Sequence, residues 1–413
     1  MSRADRTILT AAGSIDRRSF LQLAGLTAGA SALGVGLAGG AAAAEPFRIG
    51  WVRPTTGRLV TSFNPLYMGG VMAVEEINAA GGILGRQIER VEEDDEALPS
   101  KEPGIVRKLR GAGIHYVVGP TGSSQSLSSI AATTAAKMIQ ATYAAAAEAG
   151  DGKRYPYHYQ LLFNTDQQAE ICVDYMLKNQ GLKKIGVLQE NTAFGEQATA
   201  STVTYLKKAG VQPASIQVYP INAPDLAAYV SNLQKAGVDG VIAWIANIPN
   251  AAMIFNTMKS LNWFPPVTGH SGLFLPSLFE LVSPEAVKNV YGTYYKSFTW
   301  NATEQPGERQ VAFAKKLAEI PGAKNNEVNI AASPYYDFVY LLKHAIEQTK
   351  SFEVADIKKA LDSTKDFPGL LGKVSFTPEN HSGIALADIT LASVSSGVDK
   401  RAMGCMRERA PGL

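Results

Sequence analysis

Cysteine, histidine and surplus charge are all scarce in this chain of 413 residues. Its two cysteines and five scattered histidines are too few for a disulfide-rich scaffold or a four-cysteine zinc site. The 39 Lys and Arg residues nearly balance the 37 Asp and Glu residues. Nucleic-acid binding needs clustered Lys and Arg, because phosphates must be neutralised. We therefore expect no nucleic-acid partner, no metal and no cofactor.

Long apolar runs are absent beyond the first 44 residues, so we expect the rest of the chain to be soluble. The sequence Asp16-Arg17-Arg18-Ser19-Phe20-Leu21-Gln22 is followed by an uncharged stretch that ends at Ala44. This order predicts a bacterial export signal over residues 1–44, and the paired arginines favour the twin-arginine type, although Asp16 stands where Ser or Thr is usual. We expect cleavage near Ala44 and a periplasmic protein. The alternative is a transmembrane anchor, because the run is long enough to cross a bilayer.

From Phe47 onward, short strands rich in Val and Ile alternate with helices. Strands are predicted at 47–52, 88–92, 115–119, 139–143, 184–189, 215–219, 240–245, 266–269, 289–298, 373–377 and 384–394, and late helices at 307–319 and 334–348. Strands that are apolar on consecutive positions, separated by helices, indicate parallel sheets covered on both faces. The sequence predicts an α/β fold with two doubly wound, Rossmann-like lobes and a ligand cleft between them, since such sheets bind ligands at the carboxyl ends of their strands.

The turn Gly119-Pro120-Thr121-Gly122-Ser123-Ser124 follows a predicted strand and enters a helix rich in Ala, Ser and Thr. Free backbone N–H groups, hydroxyls and the positive end of a helix dipole suit a carboxylate or a phosphate. No Gly-Lys-Ser/Thr sequence closes the turn, so it is not a nucleotide-binding P-loop. An ordinary serine N-cap is the alternative interpretation.

Three further features have plain interpretations. The acidic run 92–96 predicts a solvated strand end rather than a metal site, because consecutive acids lack the spacing of a calcium loop. Ser271 and His270 resemble a nucleophile and its base, respectively, so a hydrolase is a minor alternative. Cys172 is predicted in the core and Cys405 near a solvated tail, and whether the two pair is left open.

Several segments together resemble the branched-chain amino acid binding protein family of ABC transporters. They include Phe47-Arg48-Ile49-Gly50, Glu75-Glu76-Ile77-Asn78-Ala79-Ala80-Gly81-Gly82-Ile83-Leu84-Gly85 and Phe194-Gly195-Glu196. The resemblance implies a monomeric type I periplasmic binding protein, with three crossovers as its hinge and an inner-membrane ABC permease as its partner. Lobe 1 would comprise 45–164 plus 296–371, and lobe 2 would comprise 165–295 plus 372–413.

The resemblance also implies a set of ligand-binding residues in the cleft. The family's carboxylate-binding serine matches Ser123, with Ser124 beside it, and its loop amides match Ala144 and Ala146. Lobe 2 would contribute Phe194, Asn247 and His270, while Phe63, Trp244 and Tyr336 would line an apolar slot.

Amino-acid binders of this family carry an acid at the position of His270, where it pairs with the ammonium group of the ligand. No acid occurs within Gly269-His270-Ser271-Gly272, and a buried ammonium without a carboxylate costs several kcal/mol. We therefore expect an aromatic or aliphatic carboxylate rather than an amino acid. The alternatives are an amino-acid binder in which Glu280 or Asp225 supplies the acid, and a periplasmic ligand sensor.

Overall fold

The computed structural model describes residues 44–57, 59–274, 277–320 and 332–413. The predicted export signal therefore lies outside the described residues, apart from Ala44. No helix among the described residues is long and apolar enough to cross a membrane.

Two sheets organise the described residues. The strands are β1 (Phe47–Arg53), β2 (Ile88–Asp94), β3 (Tyr116–Thr121), β4 (Ile139–Tyr143), β5 (Ile185–Glu190), β6 (Ser215–Tyr219), β7 (Gly240–Trp244), β8 (Val267–Gly269), β9 (Val290–Tyr295), β10 (Thr299–Trp300), β11 (Phe367–Pro368), β12 (Lys373–Val374), β13 (Ile389–Ser393) and β14 (Arg407–Glu408). The first sheet is parallel, in the order β2-β1-β3-β4. The second has the order β13-β9-β8-β7-β5-β6 and is parallel except for β13, which pairs antiparallel with β9.

Helices connect and cover the strands. They are α1 (Val60–Phe63), α2 (Met68–Ala79), α3 (Glu102–Gly111), α4 (Ser123–Ala136), α5 (Thr165–Asp174), α6 (Ala193–Lys208), α7 (Ala227–Lys235), α8 (Ile248–Ser260), α9 (Leu278–Leu281), α10 (Glu308–Leu317), α11 (Ser333–Thr349) and α12 (Val354–Asp362). We call the first sheet and the helices packed on it lobe 1, and the second sheet with its helices lobe 2. The chain crosses between the lobes after β4, after β9 and before β13.

Burial explains why most strands were predictable. Every residue of β3, β5 and β7 is buried, because helices cover both faces of each sheet. The edge strand β6 instead alternates between half-buried and exposed residues up to Tyr219, its last residue, which is buried. Predicted and observed strands agree in the centre of each sheet. The late strands are shorter than predicted, since β12 has two residues and β13 begins at Ile389.

Two predictions about exposure are wrong. Cys405 is buried rather than near a solvated tail, because the neighbouring Arg407 is buried and donates hydrogen bonds to backbone carbonyls, including that of Phe274 at 3.1 Å. Cys405 and Cys172 are both free thiols. In the acidic run, Asp95 is fully buried instead of solvated, because a turn lets its carboxylate accept the N–H of Ala97 at 2.8 Å.

Close packing of α2 on α11 depends on glycine. A Cβ at Gly69 would lie 2.2 Å from the carbonyl oxygen of Ala332, which immediately precedes α11. No real side chain tolerates that distance to a backbone atom. By contrast, a Cβ at Gly104 in α3 would meet only a distant arginine nitrogen, at 3.9 Å. Gly69 therefore allows α2 and α11 to pack closely.

We expect Gly69→Ala to lower the free energy of unfolding by about 1–3 kcal/mol, since the helices must separate to admit the methyl group. The matched variant Gly104→Ala should raise it by about 0.5–1 kcal/mol, because alanine favours an open helical position. Urea denaturation of both variants measures the difference. Equal effects at the two positions would contradict the packing account.

Candidate functional site

A cleft lies between the two lobes, at the carboxyl ends of strands from both sheets. The space between its walls, open mouth included, is about 760 Å³. Lobe 1 and its crossover contribute Leu59, Ser62, Phe63, Leu66, Thr121, Gly122, Ser123, Ser124, Gln125, Tyr143, Ala145 and Leu162. Lobe 2 contributes Glu190, Thr192, Phe194, Ile221, Ala246, Asn247, His270, Ser271 and Gly272. The wall is therefore mainly apolar, with polar groups at strand and helix ends.

The amino end of α4 opens into this cleft without a capping side chain. Its N-cap residue, Gly122, has φ +94°, and a Cβ there would lie 2.5 Å from the side-chain oxygen of Gln125. The first hydrogen bond of the helix runs from the N–H of Ser126 to the carbonyl of Gly122, at 2.9 Å. The N–H groups before Ser126 thus have no partner within the helix, and they lie at the positive end of its dipole.

Ser123 adds a hydroxyl to this helix end. Its Oγ accepts the N–H of Ala146 at 3.1 Å, and the side chain is buried. Because the oxygen already accepts one hydrogen bond, the hydroxyl proton is left to be donated. An anion at the end of α4 would provide the acceptor for it.

Ser124 connects the two lobes. Its Oγ accepts the N–H of Ala193, the first residue of α6 in lobe 2, at 3.3 Å. A second contact across the cleft runs from the side-chain amide of Gln197 to Glu148, at 2.7 Å. The lobes therefore contact each other directly, in a closed arrangement. Because the Oγ of Ser124 accepts this hydrogen bond, its hydroxyl proton is left to be donated.

The helices of lobe 2 that begin at the cleft differ from α4, because their own side chains cap them. The hydroxyl of Thr192 accepts the N–H of Gly195 at 3.3 Å at the start of α6. The side-chain oxygen of Asn247 accepts the N–H of Asn250 at 3.2 Å at the start of α8. Their free donors are thus partly satisfied, whereas the first N–H groups of α4 in lobe 1 have no capping side chain.

Glu190 is an acid that lines the cleft, and no sequence pattern indicated this role. Its two carboxylate oxygens accept the hydroxyl of Thr192 at 2.8 Å and the N–H of Ala246 at 3.0 Å. Burial raises the pKa of Glu190 to about 7, against the lowering effect of these two hydrogen bonds. The group therefore changes charge near neutral pH. Glu280 and Asp225, the acids considered from the sequence, do not line the cleft.

His270 lies at the end of β8, against Phe194, with ring centroids 4.7 Å apart. Its Nδ1 lies 2.8 Å from the side-chain oxygen of Gln168 in α5. Burial lowers the pKa of His270 to about 3, so the ring is neutral at physiological pH. Its hydrogen bond goes to Gln168 and not to Ser271, so the described structure contains no histidine–serine pair of the hydrolase type.

The cleft brings together six of the residues expected from the sequence. They are Phe63, Ser123, Ser124, Phe194, Asn247 and His270. Ala144 and Ala146 do not line it, although the N–H of Ala146 supports Ser123; the residue between them, Ala145, lines the wall instead.

Two expected aromatic residues lie elsewhere. Tyr336 is outside the cleft and donates its hydroxyl to Glu76 at 2.8 Å. Trp244 is buried behind Phe194 and donates to Thr202 at 3.1 Å. Among the described residues, no group of His, Cys, Asp and Glu side chains is arranged to hold a metal ion.

Comparison with known proteins identifies the class. The family model described as "Periplasmic binding protein" matches residues 46–399, so the chain belongs to that family. Within it, the chain is a type I periplasmic binding protein of the branched-chain amino acid group. It is 26% identical to the Leu/Ile/Val-binding protein BraC3 of Rhizobium johnstonii over 331 residues, which cover 79% of this chain and 86% of that protein.

Solved structures share the fold. One is LivJ, the substrate-binding protein of a branched-chain amino acid transporter of Streptococcus pneumoniae, in complex with isoleucine. It has a TM-score of 0.73 and 22% identity, over 84% of this chain and 96% of that one. Another is an ABC-transporter solute-binding protein of Rhodopseudomonas palustris in complex with 3,4-dihydroxybenzoic acid, with a TM-score of 0.69 and 19% identity, over 84% and 93% of the two chains.

The raised pKa of Glu190 predicts a specific dependence of stability on pH. Its folded value is above its ordinary 4.5, so the folded state holds the proton more tightly than the unfolded state between pH 4.5 and 7. Relative to Glu190→Gln, the wild type should therefore lose about 3 kcal/mol of unfolding free energy as the pH rises through that window. Urea denaturation at several pH values measures the difference.

Glu280→Gln is the matched control, because Glu280 is exposed and outside the cleft. Its difference from the wild type should vary much less with pH. A difference between wild type and Glu190→Gln that stays constant from pH 4.5 to 7 would mean that the carboxyl group is not perturbed.

Proposed function

We propose that this protein is the exported solute-binding component of an ABC importer, and that it captures a small organic acid in the cleft and delivers it to an inner-membrane permease. The observation that carries the proposal is the uncapped amino end of α4, flanked by Ser123 and Ser124. Backbone N–H groups, hydroxyls and the helix dipole there form a site for a carboxylate. The rest of the wall is apolar and suits a hydrocarbon body.

An organic acid is favoured over an amino acid by the lobe-2 side of the cleft. His270 is neutral and gives no negative charge for an ammonium to pair with. Glu190 is engaged through both carboxylate oxygens and holds its proton up to about neutral pH. The solute-binding protein of Rhodopseudomonas palustris, with its bound dihydroxybenzoate, supports the view that the fold accommodates an aromatic acid.

Ligand capture would work through lobe closure. An organic acid bound at the start of α4 in lobe 1 would also contact Phe194 and His270, which line the lobe-2 side of the cleft. A ligand that contacts both lobes favours the closed state, in which Ser124 accepts the N–H of Ala193. The role is binding without chemistry; a periplasmic sensor would use the same closure to signal to a protein partner.

Binding of a branched-chain amino acid is the second candidate, and Glu190 is the observation in its favour. When the carboxyl group of Glu190 is ionised, it could pair with the ammonium group of an amino-acid ligand. The names of the BraC3 and LivJ relatives support it as well. The two candidates differ in the charge that Glu190 must carry, so pH separates them.

Matched pairs of ligands test the proposed class. The mature chain is screened by thermal shift against leucine and 4-methylpentanoate, and against phenylalanine and 3-phenylpropanoate; the members of each pair differ in the amino group. We expect stabilisation by the des-amino acids, since ligand at 100 times its dissociation constant adds about 2.7 kcal/mol. Stabilisation by the amino acids alone would refute the organic-acid proposal and support the second candidate.

Loss of the hydroxyl at Ser123 should weaken binding of the acid found in that screen. We expect Ser123→Ala to lower the affinity roughly 10- to 100-fold, since a hydrogen bond to a charged group contributes about 1.5–3 kcal/mol. Titration calorimetry gives the affinities. Ser128→Ala, on the same helix but outside the cleft, should leave the affinity unchanged. An unaltered affinity in Ser123→Ala would place the carboxylate elsewhere.

The pH dependence of affinity distinguishes the two candidates independently. An amino acid paired with Glu190 needs the ionised carboxylate, so its affinity should fall by up to tenfold per unit as the pH decreases below about 7. An organic acid carries its own negative charge, which an ionised Glu190 would repel. Its affinity should therefore stay constant or rise as the pH decreases below about 7 and Glu190 becomes protonated. In Glu190→Gln, either dependence should disappear.

A further inference from the structure

The neighbours of His270 determine which of its two ring nitrogens carries the proton. The side-chain oxygen of Gln168 accepts a hydrogen bond from Thr293 at 2.9 Å, and its side-chain nitrogen donates to the carbonyl of Phe163 at 3.1 Å. These two contacts fix which end of the amide faces His270. His270 therefore meets an acceptor, the oxygen of Gln168, through Nδ1 at 2.8 Å.

An acceptor at Nδ1 requires a proton on Nδ1. A neutral imidazole has one proton, so its other nitrogen, Nε2, carries a lone pair and can only accept. Within the described residues, no side chain or backbone group donates to Nε2. His270 is 5% exposed and lines the same cleft as Ser123 and Ser124 at the start of α4.

We propose that Nε2 of His270 accepts a hydrogen bond from a hydroxyl group of the ligand, so that the captured molecule is a hydroxy acid whose carboxylate is held by lobe 1 and whose hydroxyl is held by lobe 2. This inference rests on the proposed binding of an organic acid. Gln168 is a positioning residue, because it acts on the ligand only through the tautomer of His270.

The surrounding wall favours an apolar body between the two polar ends. Phe63 and Leu66 face the cleft from lobe 1, and Phe194 and Ile221 face it from lobe 2. An ammonium is a poorer match than a hydroxyl, because a neutral imidazole acceptor supplies no opposite charge for a buried cation. The ligand class that satisfies these groups is an aromatic hydroxy acid of the hydroxybenzoate type.

Calorimetric titration with benzoate and its 3- and 4-hydroxy and 3- and 4-methoxy derivatives tests the inference. A methoxy oxygen can accept but not donate, so it controls for size and for the oxygen atom. We expect at least one hydroxybenzoate to bind tenfold or more tightly than both benzoate and the matching methoxybenzoate. In His270→Phe, which keeps a ring against Phe194, the ratio of the affinities for the hydroxybenzoate and for benzoate should fall toward one, whatever the change in the affinity for benzoate itself.

The outcomes separate this inference from the proposed function. Binding of benzoate with no preference for either hydroxyl derivative overturns the role of His270 and leaves the organic-acid proposal standing. No binding of any of the five acids, together with binding of leucine, overturns both. A preference that persists in His270→Phe and in His270→Gln assigns the hydroxyl to another group and overturns the inference.

A second measurement is independent of any ligand. Nitrogen-15 NMR of histidine-labelled protein distinguishes the Nδ1–H and Nε2–H tautomers, and His270→Phe identifies the signal. We expect the Nδ1–H form in the wild type and a shift toward a mixture of tautomers in Gln168→Leu, with the hydroxyl preference reduced in parallel. An Nε2–H or doubly protonated ring in the wild type at pH 7 would overturn the inference.

Discussion

The structure of the cleft depends on one helix end that has no cap. At the start of α4 the chain places Gly122, with a positive φ and no side chain, where serine, threonine or aspartate would ordinarily satisfy the free N–H groups. Thr192 and Asn247 perform that capping role at α6 and α8 in lobe 2. The result is an asymmetric cleft, in which the uncapped helix end lies in lobe 1. The other lobe supplies aromatic surface, an acceptor and a titratable acid.

If the ligand is the proposed organic acid, this local arrangement must supply the attraction for it, because the protein as a whole does not. The formal net charge of +2 falls to zero without residues 1–44, which carry four arginines and two aspartates. A neutral protein produces no long-range field that steers anions. Selectivity then depends on short-range donors at α4 and on burial, which strengthens hydrogen bonds once the lobes close.

Much of this fold could be predicted from the sequence, because strands such as β5 and β7 are buried on both faces and are apolar at consecutive positions. Pattern alone could not show in which direction each of two neighbouring side chains points. Tyr336 was expected there, yet its side chain points to Glu76, whereas Tyr335 is buried and donates to Pro120 at 3.0 Å. One position along a helix rotates a side chain by about 100°.

Contacts between segments that are distant in the chain could not be predicted from the sequence either. The hydrogen bond from Ala193 to Ser124 joins residues 69 apart and exists only because the lobes close. Glu190 directly follows the predicted strand 184–189, and no sequence pattern indicates that both of its carboxylate oxygens accept hydrogen bonds at the cleft wall. The tautomer of His270 depends on Gln168, which is 102 residues away in the chain.

The most direct test of the central claim, that the cleft holds an organic acid by its carboxylate, is native mass spectrometry of the protein purified from its own periplasm. The mass difference before and after gentle unfolding, followed by fragmentation of the released molecule, identifies what occupies the cleft. The account predicts one small acid with a carboxylate and no amino group, which is lost from Ser123→Ala during purification. Recovery of leucine, isoleucine or another amino acid as the bound molecule would contradict it.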